Sequence, residues 1–122
     1  MILIDLYSRR YTGELEAILI EKDSSDNILF QVKLFQADFS VIVDWIPYDA
    51  ASSPDNLALI LNTNLDWGED FSEVIRLQEF YHQLLLVINY IDPNDLEVFN
   101  SIRNICESTI QNGNRLFIKL YN

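Results

Sequence analysis

The sequence feature that most constrains the fold is a helical repeat over residues 71–91, FSEVIRLQEFYHQLLLVINYI. Apolar residues recur there at alternating steps of three and four, which places them on one helix face: Val74, Leu77, Tyr81, Leu84, Ile88 and Ile91. Asp70 precedes the repeat, with Glu73 in the capping-box position, and Asp92-Pro93 ends it because proline cannot continue a helix. We therefore predict one helix over residues 71–91 whose apolar face forms the centre of the core.

The second half of this predicted helix is apolar on nearly every side. Up to Gln83 a polar stripe faces away from the core, but Leu86, Val87 and Tyr90 then take the same direction. A helix that is apolar all round must be covered. We expect the cover to come from the rest of the chain or from a partner.

Strand patterns account for most of the remaining chain. Five segments have the alternation or the β-branched content of strands: residues 1–7, 14–21, 28–36, 39–46 and 115–121. The second and third flank KDSSDN, whose side chains favour turns, so they predict an antiparallel hairpin. The apolar run at residues 57–61 fits a buried strand or a short helix, with strand preferred.

A second helix is predicted over residues 93–112, with Pro93 at its first position and Gly113 as its C-terminal cap. Its apolar stripe contains Phe99, Ile102 and Cys106. The expected fold class is α+β: a mainly antiparallel sheet of about five to six strands, two antiparallel α-helices in the C-terminal half, and a final strand. We expect residues 1–122 to form a single globular domain.

The balance of charge excludes several classes of partner. Lys and Arg number 8 against 19 Asp and Glu, a net charge of −11, while 49% of residues are hydrophobic and suffice for a core. Such a protein repels nucleic acid and anionic lipid, so we expect neither nucleic-acid nor membrane binding. The single cysteine, Cys106, and the lack of a signal-peptide pattern predict a cytoplasmic location.

The acidic residues are concentrated where basic residues are missing. No Lys, Arg or His occurs from Leu34 to Ile75, and this region contains the acid-aromatic segments DWIPYD and LDWGED. Aromatic side chains among carboxylates suit a surface that binds a basic partner. The predicted partner-binding residues are Asp44, Tyr48, Asp49, Asp66, Trp67, Glu69, Asp70 and Glu73. The alternative is that Trp45 belongs to the core and that Glu69, Asp70 and Glu73 merely complement the helix dipole.

Catalytic and metal-binding signatures are absent from the sequence. No metal-ligand spacing and no glycine-rich phosphate loop occurs. His82 borders an apolar face, where a lone histidine is usually structural, and Cys106 lies on an apolar stripe, where a thiol acts as a small hydrophobe. We expect no enzymatic activity, no metal and no cofactor.

The chain as a whole resembles the immunity proteins of bacterial polymorphic toxin systems, such as those that neutralise contact-dependent growth-inhibition toxins. The resemblance lies in its size, its acidity, its α+β organisation and the segments DWIPYD and LDWGED. It implies a protein that binds a cognate toxin, commonly a basic nuclease, with carboxylates in place of substrate phosphates. For such an inhibitor we expect a monomer rather than a homodimer.

A second hypothesis is a small acidic secretion chaperone or adaptor that acts as a homodimer. The all-round apolar second half of the long helix would then be its dimer or client face. Sedimentation discriminates between the two, because a stable dimer favours the adaptor.

Overall fold

The structure is a computed structural model and describes residues 1–8, 14–45 and 71–120. Its strands are β1 (Ile2–Asp5), β2 (Glu16–Lys22), β3 (Ile28–Phe35), β4 (Ser72–Glu73) and β5 (Arg115–Leu120), and its helices are α1 (Gln36–Asp44), α2 (Leu77–Leu86) and α3 (Leu96–Gln111). Two 3₁₀ turns, Ile88–Tyr90 and Pro93–Asp95, lie between α2 and α3. The predicted α+β class, with two helices in the C-terminal half and a final strand, is confirmed.

The five strands form one sheet in the order β1-β3-β2-β5-β4. The β2–β3 hairpin is antiparallel as predicted, and β5 pairs antiparallel with both β2 and β4. Only β1 is parallel to its neighbour, β3. In the hairpin turn the Asp23 carboxylate accepts hydrogen bonds from the backbone N–H groups of Asn27 and Ser25, and these bonds, that of Asn27 above all, lower its pKa. The central strand is therefore β2, paired on both sides.

The centre of the core is α3, which packs on β2, β3 and β5 and also contacts α1 and α2. Phe99, Ile102 and Cys106 of the predicted stripe are fully buried. Gly113 has φ +65 just beyond the helix and its N–H donates to the Ile110 carbonyl, as expected of a C-terminal cap. The second predicted helix is confirmed, although its first residues form a 3₁₀ turn.

The first predicted helix, over residues 71–91, is wrong in its bounds. Ser72 and Glu73 instead form β4, and the Val74 N–H donates to the Leu116 carbonyl of β5. The backbone N–H and carbonyl groups of this segment form hydrogen bonds with the edge of β5, where a longer helix would have paired them within itself. The helix α2 therefore begins only at Leu77. Glu73 therefore cannot occupy a capping-box position.

The face that α2 buries also differs from the prediction. Its fully buried side chains are Phe80 and Leu84, followed by Val87, whereas Ile88 is exposed. Tyr81 is half-buried, and its hydroxyl donates to Glu107 Oε1 of α3 at 2.8 Å. The buried stripe is thus rotated by about one residue, and α2 flanks the core instead of forming its centre.

The strand predicted over residues 39–46 is a helix, α1. Phe39, Ile42 and Val43 are buried and Val41 is exposed, which is helical spacing and not strand alternation. Ile42 and Val43 are β-branched residues, which favoured a strand in the prediction. In the helix both side chains pack into the core against the sheet. The segment 57–61 lies outside the described residues.

No helix of the described ranges is long and apolar enough to cross a membrane.

Cys106 is expected to resist alkylation in the native protein. Its thiol is fully buried, and burial raises its pKa, so little reactive thiolate forms. Labelling then requires opening of the core. If this opening costs a free energy of about 4 kcal/mol, alkylation by iodoacetamide is slowed roughly 1000-fold. The measurement is mass spectrometry of timed samples with and without urea. A Leu15→Cys variant, whose site is 44% exposed, is the positive control; equal labelling of both thiols in native protein would contradict the burial.

Candidate functional site

Two residues of the acid-aromatic segment DWIPYD lie at the C-terminal end of α1. Asp44 is the last residue of the helix and is exposed. Trp45 follows as the C-terminal cap, and its backbone N–H donates to the Ile42 carbonyl at 3.2 Å. Because Ile42 is fully buried, the backbone at this point is anchored to the core while both side chains face outward.

The indole of Trp45 stacks on the ring of Tyr90, with ring centroids 6.1 Å apart and planes 9° from parallel. These values correspond to an offset stack. Tyr90 lies in the 3₁₀ turn after α2, where its N–H donates to the Val87 carbonyl. The contact joins the end of α1 to the end of α2, and we call the two rings the Trp45–Tyr90 platform.

The platform is open to solvent. Trp45 is 48% exposed and Tyr90 is 61% exposed, so the alternative that Trp45 belongs to the core is wrong. Leu86, in the last turn of α2, is 56% exposed as well. The second half of the predicted long helix is therefore only partly covered: Val87 is fully buried, whereas Leu86 and Tyr90 are exposed. Exposed aromatic and aliphatic groups on a fixed backbone suit a protein-binding surface.

Asp44 adds a negative charge at the same end of α1 as Trp45. It forms no ion pair within the described ranges, and the last turn of α1 contains no basic residue. The helix dipole places partial negative charge at the same end, so a carboxylate there is unfavourable for the helix by about 0.3–1 kcal/mol. A cation supplied by a partner would relieve this repulsion.

The other predicted site residues are not brought to the platform by the described structure. Glu73 is exposed, but it lies on β4 at the edge of the sheet, opposite Phe117 of β5. The remaining six fall outside the described residues: Tyr48, Asp49, Asp66, Trp67, Glu69 and Asp70. Of the two predicted residues that the structure describes, Asp44 adjoins Trp45 of the platform in the chain and Glu73 does not. Tyr90, the other ring of the platform, was not among the predicted residues.

A second polar cluster, also missed, surrounds the fully buried Glu21 of β2. Its Oε1 accepts from Ser108 Oγ at 2.6 Å, and its Oε2 accepts from the side-chain amides of Asn112 at 3.0 Å and Asn114 at 2.6 Å. The sequence pattern that could have indicated this cluster is strand alternation, which places Glu21 on the same inward face of β2 as Ala17 and Leu19.

The Glu21 cluster is structural in character. All its partners are neutral donors, and together they connect β2 to the end of α3. Among the residues that the structure describes, no group of His, Cys, Asp and Glu could hold a metal ion. His82, the one histidine, is exposed on α2 and its ring lies near Tyr81.

Comparison of the chain with protein-family models, with curated proteins and with solved structures returned no match. The function must therefore be inferred from the chemistry of the surface itself.

Proposed function

We propose that the protein is an acidic inhibitor that binds and neutralises a cognate protein toxin, in the manner of an immunity protein. The observation that carries the proposal is the exposed Trp45–Tyr90 platform, preceded in the chain by Asp44, which forms no ion pair within the described residues. The rings supply contact area at a low entropic cost, and the carboxylate supplies charge. The same pairing of aromatic and acidic residues occurs in LDWGED, outside the described residues.

The mechanism follows from the charge. A net charge of −11 accelerates encounter with a positively charged cleft, as found in a basic nuclease. On docking, the platform rings lose water and Asp44 pairs with a Lys or Arg that would otherwise hold a substrate phosphate. Toxin activity is lost because the cleft or the surface beside it is occupied. A cytoplasmic location is part of this proposal, since the inhibitor must meet the toxin where the toxin acts.

The direct test mixes the purified protein with the toxin domain encoded by the neighbouring gene. We expect a complex of one chain with one toxin that suppresses the toxic activity and weakens as salt is raised. Isothermal titration calorimetry at two salt concentrations gives the stoichiometry and the salt dependence, and an activity assay gives the inhibition. A toxin that stays fully active at saturating protein would overturn the proposal.

Asp44→Asn is expected to slow association about threefold at low salt and to reduce its salt dependence, because one steering charge is lost beside the contact. The control is Glu14→Gln, which removes the same charge from an exposed residue near the first turn of α1, at the other end of that helix. Stopped-flow measurements compare the two variants. Equal slowing in both would show that net charge alone, and not the position of Asp44, determines the rate.

The adaptor hypothesis is favoured by one observation, the exposure of Leu86 and Tyr90 at the end of α2. If these side chains form a dimer face, Leu86→Glu should convert a dimer into a monomer in sedimentation experiments. If the inhibitor hypothesis holds, Leu86→Glu changes toxin binding and leaves the mass of the free protein unchanged.

A further inference from the structure

The end of α3 contains a chemically labile dipeptide. Asn112, the C-terminal cap of the helix, is the only asparagine in the chain that is followed by glycine. Because glycine has no Cβ, its backbone nitrogen can approach the amide carbon of the preceding asparagine side chain. Such an attack is intramolecular and closes a five-membered ring. Gly113 is exposed, and a Cβ added to it would meet no atom within 4 Å, so water reaches the dipeptide.

Hydrogen bonds of the native fold hold both reacting groups. The Asn112 amide nitrogen, which would leave as ammonia, donates to Glu21 Oε2 at 3.0 Å and to Ser108 Oγ at 3.3 Å. The Gly113 N–H, whose nitrogen would attack, donates to the Ile110 carbonyl at 3.2 Å. Glu21 is fully buried in β2, so the amide is tied to the centre of the sheet. The reaction therefore requires the end of α3 to open.

We propose that Asn112 is a site of spontaneous deamidation, that the Glu21 cluster holds it unreacted in the folded protein, and that its reaction breaks the link between α3 and β2. When the helix end opens, the Gly113 nitrogen gives its proton to the solvent and forms a bond to Asn112 Cγ. The bond from Cγ to Nδ2 then breaks, and Nδ2 takes up a proton and leaves as ammonia.

A succinimide ring remains, and water opens it at either carbonyl. The product is aspartate or isoaspartate at position 112. Water is consumed and ammonia is released, and no group is oxidised or reduced.

The product prevents the helix end from returning to its native contacts. A carboxylate at position 112 has no hydrogen to donate, so Glu21 Oε2 loses one hydrogen bond and meets a second negative charge. The last turn of α3 has no basic residue, and the helix dipole also disfavours a carboxylate at this end. Isoaspartate in addition inserts a side-chain carbon into the main chain between α3 and β5. An opening that leads to reaction thus weakens the fold irreversibly.

Ageing of the purified chain tests the site and its protection. The protein is kept at mildly alkaline pH with and without guanidinium chloride, and peptide mass spectrometry follows the conversion of amide to acid at each asparagine. Asn112 should react at least about tenfold more slowly in the folded protein than in the unfolded one.

Asn114 is the matched control within the same peptide. It donates to the same Glu21 Oε2 at 2.6 Å but precedes an arginine, so it should stay unreacted in both conditions. Equal rates for Asn112 in the folded and unfolded chain would overturn the protection by the Glu21 cluster. Faster conversion of Asn114 than of Asn112 in the unfolded chain would overturn the assignment of the site.

A substitution that creates the product's charge tests the consequence. Asn112→Asp should lower the urea midpoint of unfolding by about 0.5 M relative to Asn112→Ala, which removes the same hydrogen bonds without adding a charge. Circular dichroism verifies that both variants are folded. Equal midpoints would show that a carboxylate beside Glu21 does not weaken the fold and would overturn that part of the proposal. No toxin takes part in these measurements, so their outcome is independent of the inhibitor function.

Discussion

Glu21→Ala is expected to lower the free energy of unfolding by about 3 kcal/mol. Glu21 is fully buried in the central strand β2, where it lies opposite Phe30 of β3 and Leu116 of β5. Truncation removes the acceptor of three hydrogen bonds and leaves a cavity between β2 and the end of α3. The donors that lose their partner are Ser108, Asn112 and Asn114.

The effect is large because Glu21 connects elements that are distant in sequence. Ser108 lies in the last turn of α3, Asn112 is its C-terminal cap, and Asn114 precedes β5. Their hydrogen bonds fix the end of the helix on the middle of the sheet. A buried polar cluster of this kind is stable only while each member keeps its partner.

Glu21→Gln is the matched control and should cost about 1 kcal/mol or less. The amide oxygen can accept from Asn112 and Asn114, and the amide nitrogen can donate to the Ser108 hydroxyl, which also acts as an acceptor. Urea unfolding followed by circular dichroism compares the midpoints, provided that the slopes agree. Equal losses in Glu21→Ala and Glu21→Gln would show that the negative charge, and not the hydrogen-bond geometry, stabilises this site.

The parts of the fold that were predicted correctly are those encoded by local patterns. The β2–β3 hairpin has strand alternation on both sides of a turn-forming segment, and α3 has Pro93 before it and Gly113 after it. The helix α1 was misassigned because composition was given more weight than spacing. Phe39, Ile42 and Val43 had the helical period, and their packing against the sheet decided the outcome.

The features that were missed depend on contacts between distant residues. Ser72 and Glu73 become a strand only because β5, more than forty residues later, offers an edge. Trp45 and Tyr90 are likewise 45 positions apart in the sequence and meet only in the folded chain. Asp44 could be predicted from local clustering of acids and aromatics, whereas its neighbour in the platform could not. No local pattern specifies which distant ring an exposed tryptophan will contact.

Trp45→Ala is expected to weaken binding to the cognate toxin about 30- to 100-fold, a loss of about 2–3 kcal/mol. The indole offers the largest exposed ring of the platform, and its backbone is already fixed by the hydrogen bond to Ile42, so little entropy is lost on docking. Trp45→Phe should retain part of the affinity because a ring still stacks on Tyr90. Leu15→Ala, which truncates an exposed side chain at the other end of α1, should leave affinity unchanged.

The stacking contact between Trp45 and Tyr90 predicts that the contributions of the two rings to toxin binding are coupled. Tyr90→Ala should also weaken binding, but the double variant with Trp45→Ala should lose less than the sum of the two single losses, by about 1 kcal/mol. The reason is that Tyr90 holds the indole in one orientation, and this effect disappears once the indole is removed. Isothermal titration calorimetry on the wild type, the two single variants and the double variant measures the coupling energy between the two rings. Full additivity would mean that each ring contacts the toxin independently, whereas wild-type affinity in the double variant would place the interface away from the platform.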